Sequence, residues 1–486
     1  MTKPANLIFF LSDNHTGDLL GCYGHPVVQT PNLDQIAARG ARFANSYSAS
    51  PLCCPARASL ATGRYPHQTG YWDNSIAYDG RVASWGHRLK ERSHPTVSIG
   101  KLHYRSTEDD NGFVREIVPM HIVDGIGGLT GLLRWSGEQP AMPGQWELYW
   151  ERSGVGESEY QDYDREITRE AIAWLEQEAA GQTAPWVLLV SYVSAHPPFL
   201  VPQRLYDLYP HDRIPLPVLF RPDEMPRHPA LEHIRKLKLF QTMDDEAVLR
   251  RIAAGYFALV THLDEQIGQV MAAAERLDLL GDTRVIYTSD HGESYGHHGL
   301  FGKNHLMEPA VRVPLIAAGP GIPAGRAVDQ IASAVDLFPT ILEGAGVTQE
   351  AEDRDLPGIS LWPAMTGRET PRVGFAEFHA SASRAGGFLW RDGADKLIYH
   401  VGMASQLYDL EADPIEAHDR VAEGTADGRD RDLESALRAF VDPEAVDARA
   451  KADQRAQAER HGGTEAIAKQ GTIVYTPPPG QSARYG

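Results

Sequence analysis

Four apolar runs in this chain stop abruptly at polar, titratable residues. Ala5–Ser12 ends in Asp13-Asn14, and Thr96–Gly100 in Lys101-Leu102-His103. Trp186–Ser194 runs into His196-Pro197-Pro198, and Thr283–Ser289 into Asp290-His291-Gly292. Each run has the length and composition of a buried strand. Helical segments lie between them. Thr30-Pro31 supplies an N-cap and a first-turn proline for a helix that Gly40 closes. Further helices are predicted from about Asp164 to Ala179 and from roughly Glu246 to Leu279, and a further strand over Val313–Ala318. Strands alternating with helices predict an α/β fold, a large, mostly parallel sheet sandwiched by helices. In such sheets ligands bind beyond the carboxyl ends of the strands. All four polar strand ends fall there.

From about residue 374 the pattern changes. Phe388–Trp390 and Lys396–Val401 are short strand candidates with no long helix between them, which predicts a smaller antiparallel sheet. The expected division is 1–373 for the catalytic α/β domain and 374–486 for a C-terminal subdomain. The latter carries a charged, alanine-rich helix after Pro443 and an extended tail through Pro477-Pro478-Pro479. The tail from Gly462 onward is a candidate for packing on a neighbouring subunit, as in a homo-oligomer. Tyr104–Asp162 has little periodicity and reads as a long insertion of the kind that forms lids or substrate loops. Its Trp135, Trp146 and Trp150 suit either an apolar or ring-shaped partner or core packing.

Charge narrows the partners. A formal net charge of −19 over 486 residues argues against nucleic acid and against an anionic membrane. A small anionic substrate stays compatible, because a local cluster of Lys, Arg and His can oppose the global field. Three cysteines, Cys22, Cys53 and Cys54, make no disulfide framework and suit a reducing compartment. Met1–Leu11 shows no signal-peptide pattern, and the longest apolar run is too short to span a bilayer. The expected localisation is cytoplasmic.

The most informative stretch is Ser50-Pro51-Leu52-Cys53-Cys54-Pro55-Ala56-Arg57, followed at once by Ala58-Ser59-Leu60-Ala61-Thr62-Gly63-Arg64. A buried, inert cysteine is the ordinary reading of Cys53. A cysteine phosphatase would need five residues between cysteine and arginine, a spacing that neither Cys53 nor Cys54 has. The C-x-P-x-R pattern with its Thr-Gly-Arg extension resembles the signature of the formylglycine-dependent (type I) sulfatases of the alkaline phosphatase superfamily. Further matches follow in order: Thr30-Pro31-Asn32-Leu33-Asp34, Gly100-Lys101-Leu102-His103, Tyr287–Glu293, Gly302-Lys303-Asn304-His305 with Glu308–Pro314, Val335–Thr340, and Leu407-Tyr408-Asp409-Leu410.

The resemblance implies that Cys53 is the precursor of an aldehyde, formylglycine, made by a formylglycine-generating maturation enzyme. It implies that Asp13, Asn14, Asp290 and His291, with the modified Cys53, hold one divalent metal. Asn14 and His291 depart from the commonest family residues, and Asp-His is also found in the related phosphonate monoester hydrolases and in some sulfatases. Oxygen ligands favour Ca²⁺, whereas an imidazole draws the site towards Mn²⁺; Ca²⁺ is the expectation. Arg57 would stabilise the aldehyde hydrate and balance the acidic ligands. Lys101 and Lys303 would hold the sulfuryl oxygens, and Asn74 would touch the substrate. His196, with Lys303, would aid the leaving group, and His103 would deprotonate the second hydroxyl of the hydrate to expel sulfate.

The implied activity is hydrolysis of aryl or alkyl sulfate monoesters. The alternatives are a phosphonate monoester or phosphodiester hydrolase of the same superfamily, and a catalytically silent binding protein. The last would have lost one of these groups, and none is missing. Cys54, His15, His297 and His298 read as structural or peripheral.

Overall fold

The four apolar runs lie side by side in an eight-stranded sheet of the computed structural model, which describes residues 3–137, 139–240 and 245–485. Its order is Arg326–Val328, Gly40–Phe43, Leu315–Ala318, Thr283–Ser289, Asn6–Ser12, Val187–Ser191, Thr96–Lys101 and Arg115–Met120. Only Leu315–Ala318 runs opposite to the rest, pairing antiparallel with both neighbours. The central strands are buried along nearly their whole length, as strands covered on both faces must be. Alternate residues serve opposite layers. Ile8, Phe10, Leu188 and Val190 pack with Ile167 and Phe257 of the helices Glu159–Gln177 and Glu246–Arg276. Leu7, Phe9, Leu189 and Ile286 pack with Phe338 and Ile341 of Leu337–Ala345.

Register brings the strand ends to one level. Leu11 and Gly100 both pair with Ser191, and Ser12 pairs with Ser289. Asp13, Lys101 and Asp290 therefore emerge together at the carboxyl edge.

The stretch 104–162 is more than an insertion, because it contributes the edge strand Arg115–Met120. Only Ile117 and Met120 of that strand are buried, so it lacks the continuous apolar run that marked the others. Its tryptophans serve packing. Trp146 stacks on Trp150 and meets Phe240 and Phe301, and neither these nor Trp135 lines the cavity described below. A second, four-stranded antiparallel sheet comprises Val373–Phe378, Gly387–Asp392, Asp395–His400 and Gln406–Asp409. The buried Lys396 ties it to the main body through Glu308 at 2.8 Å, and Glu416 of the same C-terminal part flanks the ammonium at 2.6 Å. The helix Pro443–Arg460 follows, and residues 472–476 return across the catalytic edge of their own chain.

Buried neutral histidines set the acid response. Burial pushes His15, His262 and His297 down to about 4, and His298 and His400 to about 3. Each is depressed below its unfolded value near 6.5, so the unfolded chain binds more protons and stability is lost as pH falls below that value. Asp164 and Asp264, raised to about 6, and Glu416, raised to about 7, act oppositely but are fewer. The thermal midpoint is expected to drop between pH 7 and pH 5; a midpoint that rises over this range in calorimetry would contradict the assignment.

Candidate active site

Cys53 is the first residue of the helix Cys53–Thr62, every residue of which is buried. Pro55 is tolerated because the first-turn N–H groups have no intrahelical partner. One of those donors, Cys54 N, is taken by Asn74 Oδ1 at 3.1 Å, so Asn74 fixes the helix start while also lining the cavity. Cys54 turns away and donates its thiol to His103 O at 3.2 Å.

The Cys53 thiol meets the two acidic strand ends. Its Sγ lies 3.1 Å from His291 Nε2 and 3.9 Å from Asp13 Oδ1. Burial, reinforced by the neighbouring Asp13, pushes this thiol up to about 11. At neutral pH the encoded side chain is thus a protonated thiol and a poor nucleophile.

Arg57, one helical turn on, donates Nε to Asp290 Oδ2 at 2.7 Å and lies 3.5 Å from Asp13 Oδ2 through Nη2. Its Nη1 donates to Lys101 O and Ser191 Oγ, so the guanidinium braces four strand ends at once. Lys101 Nζ is 2.5 Å from Asp13 Oδ2. Burial opposes ionisation of Asp13, but Lys101 and, next, Lys303 outweigh it and hold the carboxyl well below the usual range.

The donor set suits a cation. Asp13, Cys53, Asp290 and His291 offer ligand atoms that all lie within 4.8 Å of one another, and all four residues are buried. His291 Nδ1 donates to Gly292 O at 3.1 Å, which leaves Nε2 unprotonated in the neutral ring that burial enforces. That lone pair faces Asp290 Oδ1 at 3.6 Å and Asp13 Oδ1 at 3.7 Å. Asp290 Oδ1 also accepts the His291 N–H at 2.9 Å, and a cation among these atoms would satisfy the lone pairs that remain.

Asn14, also named as a metal ligand from the sequence, directs Oδ1 to Lys303 Nζ at 2.7 Å. Lys303 stands 3.8 Å from Asp13 Oδ1. Although burial lowers its pKa, the neighbouring carboxylates of Asp13 and Asp290 more than compensate, so Lys303 is charged. His103 and His196 are both pushed well below their ordinary value by burial, with Lys101 acting next on His103 and Lys303 next on His196. His103 Nε2 pairs with Thr476 Oγ1 at 2.9 Å. His196 Nδ1 donates to Pro197 O at 2.7 Å, so its resting tautomer offers Nε2 as an acceptor.

A cavity of about 120 Å³ opens onto these groups. Cys53, Asn74, Lys101, His103, His196 and Lys303 all line it. Three further features escape sequence reasoning. The tail residues 472–476 form one wall, and Lys238 stands in another. The third is Glu293, fully buried, whose Oε2 accepts from Asn14 Nδ2 at 2.6 Å and whose Oε1 accepts from Tyr295 N. Glu293 thereby decides which end of the Asn14 amide faces Lys303. Its one signal is its place three residues after Asp290.

Glu293→Gln would set an NH₂ against Asn14 Nδ2 and turn the amide over. Metal affinity is expected to weaken about 10-fold or more, the usual cost of losing an outer partner; a calorimetric titration with unaltered affinity would refute this positioning role.

Against protein families, residues 5–347 match the Sulfatase model and residues 296–441 the model for the C-terminal part of N-sulphoglucosamine sulphohydrolase. The choline-sulfatase of Rhizobium meliloti (strain 1021) is 31% identical over 426 residues, covering 85% of this chain and 82% of the relative. Human arylsulfatase K is 30% identical over 439 residues, covering 85% and 78%. Among solved structures, a protein in complex with its substrate D-glucosamine-2-N,6-O-disulfate superposes with a TM-score of 0.73 at 24% identity, covering 90% of this chain and 97% of that one. The phosphonate monoester hydrolase of Agrobacterium radiobacter superposes with a TM-score of 0.71 at 23% identity, covering 92% and 96%. These two likenesses establish the fold.

Proposed function

We propose, from the premise that this chain belongs to the sulfatase family and is a sulfuric ester hydrolase, that it cleaves small aryl or alkyl sulfate monoesters with an aldehyde derived from Cys53. The observation that carries this reading is the buried meeting of Cys53 with Asp13, Asp290 and His291, flanked by the ammonium groups of Lys101 and Lys303.

Sulfate monoesters resist attack because their oxygens repel nucleophiles, so the site must cancel charge and protonate the departing oxygen. Asp13, Asn14, Asp290 and His291, with the modified residue 53, would hold one divalent cation. When in place, the cation and the aldehyde supply positive charge at the sulfuryl oxygens and a hydroxyl nucleophile, respectively. Two carboxylates favour Ca²⁺; the His291 imidazole makes Mn²⁺ the alternative.

Arg57 holds Asp13 and Asp290 in register. Lys101 and Lys303 bind the sulfuryl oxygens, and their present partners, Asp13 and Asn14, aim them at the cavity. Lys303 is charged and ready to donate a proton. His196 in its resting tautomer is not: Nε2 must first be protonated, which a bound anion favours. Neutral His103 is suited to accept a proton from a hydroxyl at position 53. Asn74 holds the helix start and borders the substrate.

A cytoplasmic location is part of this proposal, which the sparse cysteine usage of the sequence suits, and its maturation is assigned to a formylglycine-generating enzyme. The Asp290-His291 pair also suits a phosphonate monoester hydrolase. Comparing kcat/KM for an aryl sulfate, an aryl phosphonate monoester and a phosphodiester decides between them. The sulfate is expected to be the best substrate, and a clear preference for either phosphorus ester would overturn the choice.

A further inference from the structure

We infer that Lys238 forms a second anion subsite, so that the preferred alcohol portion of the substrate carries its own carboxylate or sulfate. The inference rests on the sulfatase reading above and extends it to substrate class. Lys238 caps the helix Pro229–Leu237 and is only 4% exposed, yet it lines the cavity that contains Cys53. Its Nζ lies 2.5 Å from Asn304 Oδ1 and 5.8 Å from the centre of the Phe240 ring. Neither partner carries a negative charge.

The other buried lysines differ in this respect. Lys101 pairs with Asp13, Lys303 lies near the same carboxylate, and Lys396 sits between Glu308 and Glu416. Among the described residues, no carboxylate stands within 4.0 Å of Lys238. An ammonium taken out of water costs several kcal/mol unless it is paired, and this one has donors to spare facing the cavity. Burial, with Lys303 next, pushes it down to about 7, and the more distant Glu293 carboxylate only partly opposes this. A bound anion would reverse that pressure.

The sulfuryl group itself does not answer to Lys238, because Lys101 and Lys303 already flank Cys53. The remaining role is to receive charge on the part of the substrate that leaves. A carboxylate and a second sulfate present the same chemistry to an ammonium, and the test separates them.

Phenyl sulfate, 3- and 4-sulfooxybenzoate, and 1,3- and 1,4-phenylene disulfate would be compared as substrates of the matured, metal-loaded enzyme, its Lys238→Met variant and its Lys238→Arg variant. The wild type is expected to favour the doubly charged esters of at least one class. Lys238→Met should shrink that preference about 30-fold, the worth of one charged hydrogen bond, and Lys238→Arg should restore part of it. The class that loses its advantage, carboxylate or sulfate, identifies the ligand. A wild type that prefers phenyl sulfate to every doubly charged ester overturns the inference whether or not the variants fold. So does an equal loss on all substrates in Lys238→Met. Absence of turnover on any sulfate would instead sink the sulfatase reading, and this inference with it.

Discussion

Cys53→Ala is expected to lower kcat for an aryl sulfate by about four orders of magnitude or more, as loss of a covalent nucleophile does elsewhere. The fold should survive, because the change removes one sulfur atom from a fully buried helix start. The effect is expected in kcat rather than in substrate affinity, because Lys101, Lys303 and Asn74 remain in place to bind the ester. Cys54→Ala is the internal comparison. The Cys54 thiol points to His103 O, away from the cluster of Asp13, Asp290 and His291. It should retain at least about a tenth of the activity, since only a neutral hydrogen bond is lost. Similar kcat values for the Cys53→Ala variant and the wild type would mean that position 53 is not the reacting residue.

The second large effect is structural. Arg57→Met is expected to cost about 3–5 kcal/mol of stability, the penalty for removing one partner of a buried ion cluster. Asp13 and Asp290 would be left with Lys101 and Lys303 alone to balance them, and Ser191 Oγ and Lys101 O would lose their donor. Urea unfolding measures this directly. A divalent cation should restore part of the loss in the variant, because both place positive charge among the same carboxylates. A variant as stable as the wild type would show that the guanidinium is dispensable and that the lysines suffice.

The parts of this site that the sequence made legible share one property: they follow apolar strands. Asp13 and Asp290 end runs whose burial on both faces demands continuous hydrophobicity, so the break itself marked them. Lys101 and His103 followed the same rule. The strand Arg115–Met120 went unseen because an edge strand needs no such run, and most of its residues remain partly exposed. Glu293 and Lys238 were hidden for a different reason. A glutamate in a polar loop and a lysine after the last apolar residue of an amphipathic helix look like solvated charges. Both are buried only because distant segments close over them: Tyr149 OH is 3.3 Å from Glu293, and Asn304 holds Lys238. The returning tail was equally illegible, since Thr472–Thr476 carries no periodic signal, and in this structure it lies against the catalytic edge of its own chain.

Asn14 shows how a departure from a familiar pattern finds its reason in the fold. An aspartate there would face the Glu293 carboxylate, whereas asparagine donates to it at 2.6 Å. Its backbone also adopts a left-handed conformation, with φ at 57°, which asparagine accepts more readily than most residues.

The central claim is that the thiol encoded at position 53 is only a precursor. The decisive measurement is the mass of the tryptic peptide spanning Phe43 to Arg57, taken from active protein made in a maturation-competent host. The account predicts an aldehyde in place of the Cys53 thiol, with the Cys54 thiol intact. An unmodified Cys53 in fully active protein would contradict it.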